Sequence, residues 1–271
     1  RSVDLFPYSV RTQIRNVPVV KGLQRWLFQT WLSGNSFSHT ISAGPAKGLV
    51  YPVNLPQDKN IWTGTYEPEF ATELVSHIRE RSVCYDIGGY RGFFSGVMAC
   101  RGARKVFVFE PFPGNGTQIQ AMIALNPDKR IELVASAVSD STDDVIFEVM
   151  PEASMGKLAG SGFDSGGLKA AESITVSQLR LDDFIYKDGN PAPHMLKIDV
   201  EGAEVNVLRG AARMLQQERA SLLIEVHSPA IGEECLELLR PCGYQVRILE
   251  TGLEPGKGNH PQVCHYIAVK R

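Results

Sequence analysis

The stretch YDIGGYRG, Tyr85 to Gly92, limits the folds open to this chain more than any other. An apolar strand reaches Asp86, and Gly88, Gly89 and Gly92 follow before a helix-like segment. Glycines at that place permit a tight strand-to-helix turn and let a ligand approach the amides that open the helix.

From residue 83 onward the pattern repeats: VCYDI, a helix from Gly92, KVFVFE, a helix across Thr117 to Leu125, IELVASAV, then HMLKIDV, a helix from Ala203, and SLLIEV. Such alternation predicts an α/β fold whose parallel sheet is covered on both faces. The rhythm breaks at the end, where a helix over Glu233 to Leu239 is followed by YQVRIL, a loop rich in Gly and Pro, and VCHYIAV. Two strands in succession predict a C-terminal hairpin, hence one antiparallel strand. Between IELVASAV and HMLKIDV, the segment Glu152 to Ser173 is rich in Gly, Ser, Ala and charge. It reads as a mobile surface loop, long enough for a lid.

Ahead of this core, Gly22 to Leu32 reads as an amphipathic helix with a basic face, LVYPVNL as a short strand, and Pro68 through Arg79 as a helix with Pro68 in its first turn. The expected division is an N-terminal extension over residues 1–59 and a catalytic domain over 60–271. With 43% apolar residues in 271, the chain can bury one large core plus a small appendage. Its formal net charge of -2 carries no electrostatic footprint for nucleic acid or an anionic membrane. The five cysteines, Cys84, Cys100, Cys235, Cys242 and Cys264, are scattered without metal-ligand spacing, which fits reduced thiols and a cytoplasmic setting; Cys84 and Cys264 belong to core strands. No run approaches the roughly 20 apolar residues of a membrane span, and no signal-peptide layout is visible. The chain begins at Arg1 rather than Met, which leaves room for residues upstream.

Against the dinucleotide fingerprint G-x-G-x-x-G, Gly89 and Gly92 fill the second and third positions, but the first falls on Ile87, beside Asp86. A carboxylate there repels a pyrophosphate yet suits the ammonium and sulfonium charges of S-adenosylmethionine. The next strand ends at Glu110, where a doubly wound fold lets a carboxylate accept hydrogen bonds from both ribose hydroxyls. Further on, LKIDVEGAEVNVLRGA carries a strand to Asp199 and turns through Glu201, Gly202 and Glu204 into a helix. This places three carboxylates and Lys197 at the carboxyl edge of the sheet, where open α/β folds bind ligands. Helix capping accounts for one or two of them, hardly for the group. LLIEVH adds Glu225 and His227, which alternation puts on one side of its strand.

Together, YDIGGYRG, FVFEP, VSD at 138–140, LRLDDF, LKIDVEGAEVNVLRGA and LLIEVH resemble the FkbM family of methyltransferases over roughly residues 60 to 250. The resemblance implies a Rossmann-like class I methyltransferase fold with a mostly parallel seven-stranded sheet, S-adenosylmethionine as cofactor, and O-methylation of a sugar, glycolipid or natural product. The acceptor is then a small-molecule or glycan hydroxyl. The resemblance extends to GTYEPEF, so Tyr66 and Glu67 are expected to close over the cofactor's amino-acid end. Asp86, Gly88, Gly89, Tyr90, Gly92, Glu110, Pro111, Phe112, Ser136, Ala137 and Asp199 complete the expected cofactor-binding set. The family's opening runs closer to D-x-G-A-x-x-G; here Gly89 stands for the alanine and Arg91 follows, so Arg91 must point away from a cationic cofactor or hold its carboxylate.

An alcohol is a poor nucleophile while protonated, so a base or metal should assist. His227 and Asp199 are the preferred bases, with Glu225 and Lys197 completing the catalytic candidates; alternatively Asp199, Glu201 and Glu225 could hold Mg²⁺ through oxygen ligands. Two rivals share such a core. A nicotinamide oxidoreductase needs the pyrophosphate turn that Ile87 and Asp86 disrupt, and a non-catalytic scaffold would present the basic N-terminal helix to a partner. N-methylation is disfavoured by the lack of an NPPY or DPPY run, and a homodimer is compatible with every reading.

Overall fold

The computed structural model describes residues 36–55, 57–149, 157–158, 170–256 and 260–270; the helix expected over Gly22 to Leu32 lies outside the described residues. In chain order the elements are β1 (Ser36–Thr40), β2 (Val50–Asn54), α1 (Lys59–Thr63), α2 (Pro68–Ser76), β3 (Val83–Ile87), α3 (Phe93–Cys100), β4 (Lys105–Phe109), α4 (Pro113–Ala124), β5 (Ile131–Val134), β6 (Ala137–Val138), β7 (Val145–Val149), β8 (Lys157–Leu158), β9 (Glu172–Val176), β10 (Gln178–Leu179), α5 (Leu181–Tyr186), β11 (Met195–Ile198), α6 (Glu204–Gly210), α7 (Ala212–Gln217), β12 (Ser221–Val226), α8 (Pro229–Leu239), β13 (Tyr244–Ile248) and β14 (Cys264–Lys270). No helix among the described residues is long and apolar enough to cross a membrane.

One seven-stranded sheet runs in the order β13-β14-β12-β11-β3-β4-β5. All its pairings are parallel except those of β14, which lies antiparallel between β12 and β13. This is the Rossmann-like arrangement that the alternation and the resemblance imply, with the reversed strand in the C-terminal pair.

Every residue of β3 and of β11 is buried, so neither strand shows polar alternation in its sequence. The period of two survives in which face each side chain feeds. Val83, Tyr85 and Ile87 join the apolar cluster of α5, α6, α7 and α8. Cys84 and Met195 join the cluster of α2, α3 and α4 on the other face, and Cys264 is buried as expected. Asp86 and Lys197, register partners across β3 and β11, therefore project toward the second face.

The structure departs from the sequence reading in two places. IELVASAV is not one strand: β5 stays in the main sheet, while β6 leaves it after Ala135 and Ser136 to pair in parallel with β10. The segment Glu152 to Ser173 is not wholly loop, because β8 and the start of β9 both pair antiparallel with β7. Its Ser- and Gly-rich composition hid these strands, which are set by partners distant in sequence. Leu49, Tyr51, Val53 and Leu55 are buried in the same cluster as α3 and α4, so the strand expected at LVYPVNL packs on the sheet's second face.

Asn126 stitches that strand down. It is 3% exposed, accepts from the Val50 amide at 3.0 Å and donates to the Val50 and Met122 carbonyls at 2.7 and 2.8 Å. Asn126→Ala leaves buried backbone groups of β2 without partners and is expected to lower unfolding free energy by about 2–3 kcal/mol, measured by urea denaturation.

Candidate active site

Lys197 sits at the centre of the sheet's carboxyl edge. Its Nζ lies 3.3 Å from Asp86 Oδ1 and 3.2 Å from Asp199 Oδ2, and donates to the Gly88 carbonyl at 2.8 Å. Asp86 is fully buried and also accepts from the Ser95 hydroxyl at 2.6 Å. Burial favours a neutral lysine, but Asp199 and Asp86 outweigh it and hold the Lys197 pKa above its ordinary value. The result is a charged brace joining the turn after β3 to the end of β11.

The glycine turn is demanded first by the chain itself. Gly88 has φ of +76°, and a Cβ there would stand 1.8 Å from the Asp199 carbonyl oxygen; at Gly89 a Cβ would stand 2.1 Å from Val108 Cγ2. The sequence reading gave these glycines a tight turn and the approach of a ligand; close packing against the ends of β11 and β4 requires them as well.

Over this turn opens a cavity of about 390 Å³, a size proper to small-molecule sites. Among the expected cofactor residues, Glu67, Gly88, Gly89, Tyr90, Glu110, Pro111, Ser136, Ala137 and Asp199 line it. So do Lys197, Glu201 and Glu225. Asp86, Gly92, Phe112 and His227 are not among the lining residues. Asp86 lies beneath the floor, committed to Lys197 and Ser95. Gly92 caps α3, and the Phe112 ring stacks on Phe147, which does line the cavity.

Glu110 is 5% exposed; its Oε2 accepts from the Tyr90 amide at 2.8 Å and its Oε1 from the Phe112 amide at 3.0 Å and Asn115 at 3.3 Å. Burial lifts its pKa to about 7 against those hydrogen bonds. Glu67 is lifted by burial and by Glu225 and Asp199, and hydrogen-bonds Tyr66. Four non-Gly residues among those described have positive φ, and three of them, Glu67, Tyr90 and Glu201, line the cavity. Backbone strain of this kind collects where a site must be held in one shape.

His227, the first-choice base, does not line the cavity and meets carboxylates on both ring nitrogens. Its Nδ1 lies 2.5 Å from Glu204 Oε1 and its Nε2 3.3 Å from Glu201 Oε2. Burial would lower its pKa, but Glu204, Glu201 and Asp199 carry it up to about 9. Among the described residues, the ligand atoms that gather within 4.8 Å belong to Asp199, Glu201 and His227, and Glu225 of the alternative metal set is not in that group. Glu225 is drawn aside by His265, whose Nε2 is 3.5 Å from it and whose Nδ1 is 2.5 Å from Glu250. Burial acts to raise the Glu225 pKa, yet His265 and its neighbours hold it below the usual value.

Two groups were not singled out from sequence. His265 faces Glu225 across β12 and β14, a pairing that no motif announces. Asp58 holds Arg91 through paired contacts of 2.5 and 2.7 Å, which matches the guanidinium charge at the cavity wall. Asp58, Glu67, Glu110, Asp199, Glu201 and Glu225 line the cavity against Arg91 and Lys197, so carboxylates outnumber cations in its wall.

A family model described as the methyltransferase FkbM domain matches residues 86–246. Among curated proteins, a hexuronic acid methyltransferase AglP of Haloferax volcanii is 27% identical over 168 residues, which cover 61% of this chain and 64% of that relative. Among solved structures, a methyltransferase FkbM from Methylobacillus flagellatus KT shares 17% identity, with 92% of this chain and 59% of that one covered and a TM-score of 0.45. A methyltransferase yhhF of Escherichia coli shares 14%, covering 87% and 99%, with a TM-score of 0.49.

Two expectations follow from the brace and the histidine pair. Lys197→Met leaves Asp86 as a buried unpaired charge and should cost about 3–5 kcal/mol of stability, most of it recovered in the double variant Lys197→Met/Asp86→Asn. Burial would lower the His265 pKa, but Glu225 and Glu250 raise it to about 9. Its contribution to stability is therefore complete below about pH 6.5 and is lost as pH rises through about 9, at no more than about 1.4 kcal/mol per pH unit. Urea midpoints should fall across that window and fall less steeply in His265→Gln.

Proposed function

The chain belongs to the FkbM methyltransferase family, and from that premise we propose that it transfers the methyl group of S-adenosylmethionine to a hydroxyl of a sugar. The observation that carries this reading is the charge of the cavity, where carboxylates outnumber fixed cations around a turn fit for a cofactor. S-adenosylmethionine brings a sulfonium and an ammonium, and both are served by that excess. Glu110, at the end of β4, would hold the ribose hydroxyls, with Tyr66 and Glu67 over the amino-acid end. The curated relative named for hexuronic acid supports a sugar acceptor.

The cofactor supplies a methyl on a good leaving group, so holding the acceptor oxygen in line provides much of the acceleration. Asp199, fixed by Lys197, would orient the hydroxyl. Glu225, ionised and backed by His265 and Glu250, would receive its proton. His227 braces Glu201 rather than acting as the base.

Calorimetric titration with S-adenosylhomocysteine is expected to give low-micromolar affinity, about −8 kcal/mol, weakened at least about tenfold in Glu110→Ala. Methyl label from S-adenosylmethionine should appear on oxygen in a panel of hexoses and hexuronic acids. Label on nitrogen alone, or no binding by the intact protein, would sink the proposal.

A further inference from the structure

We propose that the amino edge of the main sheet, at the ends of the strands away from the cavity, docks onto a membrane surface of anionic phospholipid. The docking does not depend on the methyltransferase reading.

Three arginines stand along that edge, one before each of three neighbouring strands. β3, β4 and β5 start level with one another, since Val83 pairs with Lys105 and Val106 with Ile131. The Arg104 amide donates to the Ser82 carbonyl at 2.8 Å, and the Val106 amide to the Arg130 carbonyl at 2.8 Å. Arg81, Arg104 and Arg130 therefore lead into strands about 4.8 Å apart, and all three are exposed. Arg101 draws a further turn into the group. Its guanidinium donates to the Gly44 and Pro45 carbonyls at 2.6 and 2.5 Å, which sets the exposed Lys47 beside it.

Pairing inside the patch leaves most of this charge unmatched. Lys105 is held by Glu132, and Lys129 by Asp128 at 2.8 Å. Lys47, Arg79, Arg81, Arg101, Arg104 and Arg130 remain, with Glu80 as the one further carboxylate in the turns 44–48, 79–82, 101–104 and 127–130. The formal net charge of -2 conceals this face, since a sum over the chain sets these cations against carboxylates placed elsewhere, six of them at the cavity. The sequence expectation of no footprint for an anionic membrane holds for that sum and not for this edge.

The turn before β3 supplies a second observation. The Ser82 amide donates to the Arg79 carbonyl at 3.0 Å, and Arg81 between them is held at φ of +71°. A glycine takes up that backbone at no steric cost, so a long basic side chain is kept here against local preference. Among the described non-Gly residues with positive φ, Arg81 is the one that does not line the cavity.

A lipid surface fits this patch better than a nucleic acid. The cations are spread at one level along a sheet edge, and the four turns that carry them hold no aromatic ring on which a base could stack. They hold no large apolar side chain either, so the attachment is electrostatic and stays at the level of the headgroups. The five residues of β3 span roughly 17 Å from that edge to the cavity. Under the methyltransferase reading, the acceptor then reaches the cavity from the water side.

The test mixes the full chain with sedimenting vesicles of phosphatidylcholine, alone or with phosphatidylglycerol, at about 0.1 M salt. Binding is expected only to the vesicles that contain phosphatidylglycerol, and it should disappear at about 1 M salt, where the Debye length falls to about 3 Å. Each basic residue near such a surface strengthens binding roughly fivefold, so Arg104→Gln/Arg130→Gln should weaken it at least about tenfold and Arg81→Glu/Arg104→Glu/Arg130→Glu at least about a hundredfold. The altered side chains are exposed, so circular dichroism should be unchanged, and the double variant carries the test where the triple one fails to fold. S-adenosylhomocysteine affinity should stay within about threefold, because none of these residues lines the cavity. Protein that stays in the supernatant with phosphatidylglycerol vesicles overturns the docking, and so does equal binding by the wild type and both variants. Tighter binding to a duplex oligonucleotide than to these vesicles, lost in the same variants, overturns the choice of partner.

Discussion

The contact between Lys197 and its two aspartates is the interaction on which the site depends. A lysine in the middle of a buried strand is tolerated only when its charge is matched, and Asp86 and Asp199 match it from β3 and from the end of its own strand. Its third partner, the Gly88 carbonyl, carries the brace into the turn. One buried ammonium thus sets the spacing of the two strand ends between which the cavity opens. The absence of a Cβ at Gly88 lets the same two ends touch.

Around that brace, equal chemical groups are driven to different states by their surroundings. Burial lifts Glu110 and Glu201 to about 7, while His265 keeps Glu225 below the ordinary carboxylate range. Separation of this kind among neighbouring carboxylates divides labour in a site. Here it holds Glu225 low at the wall, while His227 lies between Glu204 and Glu201.

The N-terminal hairpin belongs to the same construction. Tyr51 donates to the Arg91 carbonyl at 3.1 Å, and Asp58 neutralises the Arg91 guanidinium. Residues that precede the first core strand therefore shape the turn that follows it, and Asn126 holds their strand in place from the end of α4.

Much of this was legible in the linear order. The alternation of β-rich and helical runs, the turn at YDIGGYRG, the carboxylates ending three strands and the reversed final strand follow from local pattern, because strand period, turn chemistry and strand-end position are local properties. What β6, β8 and the start of β9 would pair with could not be read, since pairing is decided by partners far along the chain. The same limit governs the site. The sequence by itself determined which ionisable groups reach the sheet's edge, as Asp199, Glu201, Glu225 and His227 do. Only the tertiary structure decided that Asp86 lies beneath the floor, that His227 lies between Glu204 and Glu201 and that His265 meets Glu225. The strength and state of a charge depend on burial and on neighbours within a few ångströms, and those neighbours come from separate elements of the fold.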